Sequence, residues 1–141
     1  MDLFHWKCKT LFSLSEEYAK HGSKSLRVEF YPTHQVGFST GQIDHDWSRI
    51  RAFEFTVFNE SEKTIKLYLK ISDDTTKGDT TKAYTKALNI ASGNNVIIVP
   101  ISELYDSFSR KLNAYNIKGF YIFMREIPVR TILYFDYIQL I

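Results

Sequence analysis

One cysteine stands in the 141 residues of this chain. Cys8 therefore has no internal disulfide partner, and with no Cys or His at metal-ligand spacing it leaves the redox compartment undecided. Long apolar runs are missing too. None reaches the roughly 18 residues that a membrane span needs, and Met1 to Lys7 lacks the apolar core of a signal peptide. Residues 1–141 are expected to form a single domain excised from a longer exported or membrane-anchored protein, with an extracytoplasmic or secreted setting. Charge of one sign is absent: 18 basic residues are interspersed with 16 acidic ones for a net +2, which is no nucleic-acid footprint. There is no Gly-x-Ser-x-Gly elbow, phosphate loop or dinucleotide fingerprint. His5, His21, His34 and His45 form no pair at i, i+2 or i, i+4, and Asp44-His45-Asp46 reads as a solvated loop. No internal repeat or low-complexity segment is present.

What the chain does have is alternation with a period of two. Leu26, Val28 and Phe30 alternate with Arg27, Glu29 and Tyr31, and Phe53, Phe55 and Val57 with Glu54, Thr56 and Phe58. Ile65, Leu67, Leu69 and Ile71 against Lys66, Tyr68, Lys70 and Ser72 is the cleanest case. Further strands are expected at Leu3 to Leu14, Ala83 to Ile90, Val96 to Val99, Ile117 to Arg125 and Arg130 to Ile141. About eight such strands, separated by Gly, Asn and Ser turns, predict an all-β, two-sheet antiparallel sandwich of the jelly-roll type. At most one short helix is expected, near 102–112, where Leu104, Phe108 and Leu112 fall at i, i+4 and i+8 after Ser102.

The last strand carries an irregularity. Leu133 and Phe135 share one parity, Ile138 and Leu140 the other, so an extra residue must intervene at Asp136 and Tyr137: a bulge. Asp136 is a carboxylate in the most apolar stretch of the chain and needs donors or a cation around it. Backbone N–H groups of a neighbouring turn and a bound metal ion are equally open to it.

Aromatic residues are plentiful: Tyr 9, Phe 11 and Trp 2. Many of the tyrosines fall on the outward parity of their strands. Sugars present flat C–H faces that stack on rings and hydroxyls that pair with polar groups, so a glycan site interleaves the two. Tyr68 between Lys66 and Lys70 has that pattern, as does Tyr121, Phe123 and Arg125 after Gly119. If the two strands share a sheet, these residues form one platform. Packing under a loop or against a partner domain is the competing reading.

His21-Gly22-Ser23-Lys24-Ser25-Leu26-Arg27-Val28, Tyr31-Pro32, Asp46-Trp47, Val57-Phe58-Asn59, Ile71-Ser72-Asp73, Gly93-Asn94-Asn95, Ile98-Val99-Pro100, Ile117-Lys118-Gly119-Phe120 and Tyr134-Phe135-Asp136-Tyr137-Ile138, in this order, resemble the galactose-binding-like β-sandwich. Within it they are most similar to the carbohydrate-binding modules of bacterial glycoside hydrolases and related membrane proteins. The resemblance implies a non-catalytic accessory domain whose partner is a polysaccharide or oligosaccharide. It also implies ligand-facing roles near Tyr31, Trp47, Asp73 and Tyr84. At Trp47, a place after a loop and before a strand favours core over platform. The segment Tyr84-Thr85-Lys86-Ala87-Leu88 departs from the family's aromatic-x-acidic-Arg-Phe. The resemblance further implies one structural calcium ion joining Asp136 to backbone oxygens of the turn around Lys24. Two alternatives remain open: a protein-interaction module presenting the same aromatic face to a neighbouring domain, and a jelly-roll polysaccharide lyase using Tyr68, Lys70, Tyr121 and Arg125.

Overall fold

The computed structural model describes residues 10–15, 25–30, 35–40, 45–125 and 129–141. They form nine strands: β1 Thr10–Ser15, β2 Ser25–Phe30, β3 Gln35–Thr40, β4 Ala52–Asn59, β5 Ile65–Asp73, β6 Tyr84–Ile90, β7 Gly93–Pro100, β8 Ile117–Arg125 and β9 Thr131–Leu140. Two sheets face each other, one ordered β1-β2-β9-β4-β7 and the other β3-β8-β5-β6. Every strand pair is antiparallel. This is the expected sandwich. No helix of the described residues is long and apolar enough to cross a membrane.

The alternation read from sequence decides which side chains meet between the sheets. Leu67, Leu69 and Ile71 of β5 are fully buried against Phe55 and Val57 of β4, Ile122 of β8 and Leu133 and Phe135 of β9. Burial of each such side chain contributes about 1.5–3 kcal/mol. Trp47 closes one end of this core, completely buried and stacked on Phe53 at 5.6 Å between ring centroids.

Two asparagines pin the crossings from one sheet to the other. Between β4 and β5, the buried Asn59 donates from Nδ2 to the carbonyls of Lys63 and Ile90. Between β6 and β7, Asn95 accepts the Ala91 N–H and donates to the Ala91 and Gly93 carbonyls. Gly93 turns that corner with φ +93°, a conformation that side chains with a Cβ rarely adopt.

The bulge in the last strand is present. Phe53 pairs with Leu140 and Glu54 with Gln139, but Thr56 pairs with Asp136, so Tyr137 and Ile138 together oppose Phe55. Both apolar pairs of β9 can thereby face the core despite their opposite parity. No α-helix forms over 102–112, in keeping with at most one short helix there. A 3-10 turn, Ile101–Glu103, opens the segment instead. It continues as a loop closed by the Leu112 N–H to Leu104 carbonyl bond and a bridge between Tyr105 and Lys111. The helical spacing of Leu104 and Leu112 reflects the two buried feet of that loop, and Phe108 at its tip is 72% exposed. Strand β3 is an addition to the expected set.

Candidate functional site

Strands β5 and β8 are neighbours, so the two aromatic clusters share one face. Inward residues fill the core, which leaves Lys66, Tyr68 and Lys70 of β5 and Tyr121, Phe123 and Arg125 of β8 on the outside of the four-stranded sheet. Tyr68 pairs with Phe123 and Lys70 with Tyr121. The Tyr68 and Phe123 rings are stacked, with centroids 5.3 Å apart and planes 18° from parallel. Tyr121 stacks on the other side of the cluster, 4.8 Å from Phe123 at 14°. Offset stacking of this kind contributes about 0.5–1.5 kcal/mol per pair beyond area burial.

Cations cover the rings. The Arg125 guanidinium carbon lies 4.7 Å over the Tyr68 centroid and 5.2 Å over that of Phe123. Lys70 Nζ lies 5.5 Å from the Tyr121 centroid. Each such contact is worth about 0.5–1 kcal/mol at an exposed site. Phe123 is 3% exposed under this cover, whereas Tyr68 and Tyr121 are half-buried and Arg125 is exposed. Gly37 of β3 makes room at the adjacent edge. A Cβ there would collide with the Ile122 carbonyl oxygen and come within 2.5 Å of the Phe123 Cβ.

At one end the platform drops into a hollow of about 340 Å³. Lys70, Thr85 and Tyr121 form its floor, and Thr80, Thr81 and Ser107 come from loops above the sheet. The loops are fixed by one buried carboxylate. Asp73 accepts bonds from Arg110 Nη1 at 2.9 Å, from the Asn113 N–H at 2.7 Å and from the Thr75 N–H at 3.0 Å. Burial alone would raise the Asp73 carboxyl, but these donors outweigh it and hold the pKa down at about 2. Arg110 also reaches Asp106 Oδ2 at 2.9 Å and the Lys82 carbonyl at 3.0 Å. The Ser107 N–H donates to the Thr81 carbonyl, which joins the two walls. Asp79 caps the Thr80–Lys82 turn through the Thr81 N–H and hydroxyl.

Four of the expected ligand-facing residues are thus brought together: Tyr68, Lys70, Tyr121 and Arg125. Three others are not on any open surface. Asp73 is 1% exposed and saturated by donors, so it holds loops rather than a ligand. Tyr84 points inward at 7% exposure and donates its hydroxyl to Glu103 Oε1; burial and then the Glu103 carboxylate push that hydroxyl well above its ordinary pKa. Trp47 is a core residue. Tyr31 and Lys24 lie outside the described residues. Asp136 sits one residue beyond the Leu26–Phe135 pair, beside the start of β2. It is the sole carboxylate of β9, and among the described residues no group of three or more His, Cys, Asp or Glu gathers to hold a metal.

Sequence reasoning missed Arg110 and the hydroxyls of Thr80, Thr81 and Ser107. Asp73 and Arg110 stand 37 residues apart and give no local signal. The polar run from Ser72 to Lys82 read only as a turn.

No protein-family model and no curated protein matches the chain. Solved structures do. An exo-beta-agarase superposes over 100% of this chain and 24% of its own, with a TM-score of 0.81 and 13% identity. A family 11 carbohydrate-binding module from Clostridium thermocellum, in complex with a beta-1,3-1,4-mixed-linked tetrasaccharide, gives 0.73 at 17% identity over 98% of this chain and 85% of its own. A carbohydrate-binding module of family 28, specific for non-crystalline cellulose, gives 0.63 at 12% identity, covering 97% and 86%. The chain spans about a quarter of the agarase and most of each module. At these identities the likeness establishes the fold: a β-sandwich of the kind used by carbohydrate-binding modules.

Proposed function

We propose that this chain is a non-catalytic carbohydrate-binding domain whose ligand lies along the outer face of the β3-β8-β5-β6 sheet and runs into the hollow beside Thr80 and Ser107. The observation that carries the reading is the stack of Tyr68, Phe123 and Tyr121 on an otherwise open sheet, interleaved with Lys70 and Arg125. Rings beside hydrogen-bonding side chains suit the two faces of a sugar, and the pinned loops preform the surface so that little ordering is needed on binding. The sandwich shared with sugar-binding modules supports the same reading. Such a domain would concentrate an attached enzyme or anchor on its glycan.

Titration against a panel of soluble neutral and acidic polysaccharides tests this. At least one is expected to bind, and Tyr68→Ala and Tyr121→Ala are each expected to weaken that binding by about tenfold, the loss of about one ring contact. Both side chains lie outside the core, so folding should persist. No binding to any glycan, together with a stable complex with a neighbouring domain, would move the aromatic face to protein interaction. Unsaturated uronate products in an absorbance assay would establish a lyase instead.

A further inference from the structure

The charge on the candidate platform is all of one sign. Outward positions on β5, β6 and β8 hold Lys66, Lys70 and Arg125 but no Asp or Glu. The lining of the hollow likewise combines Lys70 and Arg125 with hydroxyls of Thr80, Thr81, Thr85 and Ser107, and contains no carboxylate. Some cations elsewhere on the molecule are neutralised: Arg27 and Arg130 by Glu29, Arg110 by Asp73 and Asp106, Lys86 by Glu103. Among the described residues neither Lys66 nor Arg125 pairs with a carboxylate. Asp79, beside the rim, has its Oδ1 engaged by Thr81.

The position of Arg125 sharpens the point. Its guanidinium rests over Tyr68 and Phe123. A neutral sugar lying on those rings would have to lift it away and lose two cation–π contacts. An anionic substituent can leave the guanidinium in place and accept from its N–H fork, a charge-assisted arrangement matched to carboxylate and sulfate alike. From this we infer that the glycan taken on this face is acidic, carrying sulfate esters or uronate carboxylates, with Arg125 gripping the charge over the rings and Lys70 and the hydroxyls receiving another in the hollow. The inference rests on the proposed glycan-binding function and adds the ligand class.

Four polymers separate the possibilities: a sulfated galactan, the same galactan after desulfation, a polygalacturonate, and the same polymer after carboxyl reduction. At low salt at least one charged polymer is expected to bind about tenfold or more tightly than its neutral counterpart, the scale of one charge-assisted contact. Preference for the sulfated chain assigns sulfate, and preference for the polyuronate assigns carboxylate. Affinity should fall steeply toward about 0.5 M salt, where screening shortens to a few ångström. Arg125→Gln and Lys70→Gln are expected to bring the charged polymer close to the neutral one, while Arg27→Gln on the opposite face leaves the difference intact. Equal or tighter binding of the neutral polymers would overturn the charge selection and leave glycan binding standing. Binding to none of the four would remove both.

Discussion

The two outer faces of the sandwich use similar residues to opposite ends. On the five-stranded sheet, Phe58 and Tyr134 meet at a tilted 6.3 Å, and Arg27 and Arg130 are neutralised by Glu29 at 3.3 Å each. Val96 and Ile98 stand about half exposed at its β7 edge. On the four-stranded sheet, three rings stack within 5.3 Å and cations lie on them with no acid on that face among the described residues. Aromatic content alone does not distinguish the faces. What differs is whether acids stand beside the cations at the outward strand positions, and whether loops wall the surface. The Asp73–Arg110–Asp106 network supplies that wall on one face alone.

The largest effect is expected from removing the wall's anchor. Arg110→Ala strands the fully buried Asp73 carboxylate and should cost about 3 kcal/mol or more of stability in a denaturant melt, with loss of whatever affinity depends on Thr80, Thr81 and Ser107. If the variant melts like the parent, the loops are held some other way. Acid probes the same network. Asp73 has a folded pKa of about 2, depressed below its unfolded value near 3.9, so its contribution is complete above about pH 4 and is lost as pH falls toward 2. A decline of about 2 kcal/mol over that window is expected, and Asp73→Asn should flatten it.

A comparison of variants on the two faces comes next. Tyr68→Ala and Tyr121→Ala should each reduce glycan affinity by about tenfold, or about 1.4 kcal/mol, whereas Val96→Ser and Ile98→Ser should leave it unchanged. Loss from the β7 pair would reassign the site to the five-stranded sheet. The smallest effect concerns Asp136. We propose that a calcium ion is held at Asp136, which predicts a fall in melting temperature of about 3 °C on chelation, equivalent to about 1 kcal/mol. An unchanged melt would assign Asp136 to the sheet alone.

Much of this was legible in the sequence where the physics is local. Alternation of Leu67, Leu69 and Ile71 with Tyr68 and Lys70 reports directly which face each side chain takes. The parity break between Phe135 and Ile138 located the bulge to within a residue. Less was legible where partners come from distant segments. Nothing near Asp73 in the chain says that Arg110 neutralises it, so an inward carboxylate looked like a ligand contact. Leu104, Phe108 and Leu112 mimic a helix because a loop that anchors at both ends also spaces its apolar feet. Strand β3 is short, interrupted by Gly37 and lies at a sheet edge, and it gives a weak alternation signal for those reasons.

The central claim is that ligand lies on the four-stranded sheet. Amide chemical-shift mapping on the full chain, titrated with an oligosaccharide fragment of whichever polymer binds, tests it most directly. The account predicts perturbations along β5 and β8 and at Thr80, Thr81 and Ser107, with β4 and β7 silent. Perturbations centred on β4, β7 and β9 would contradict it.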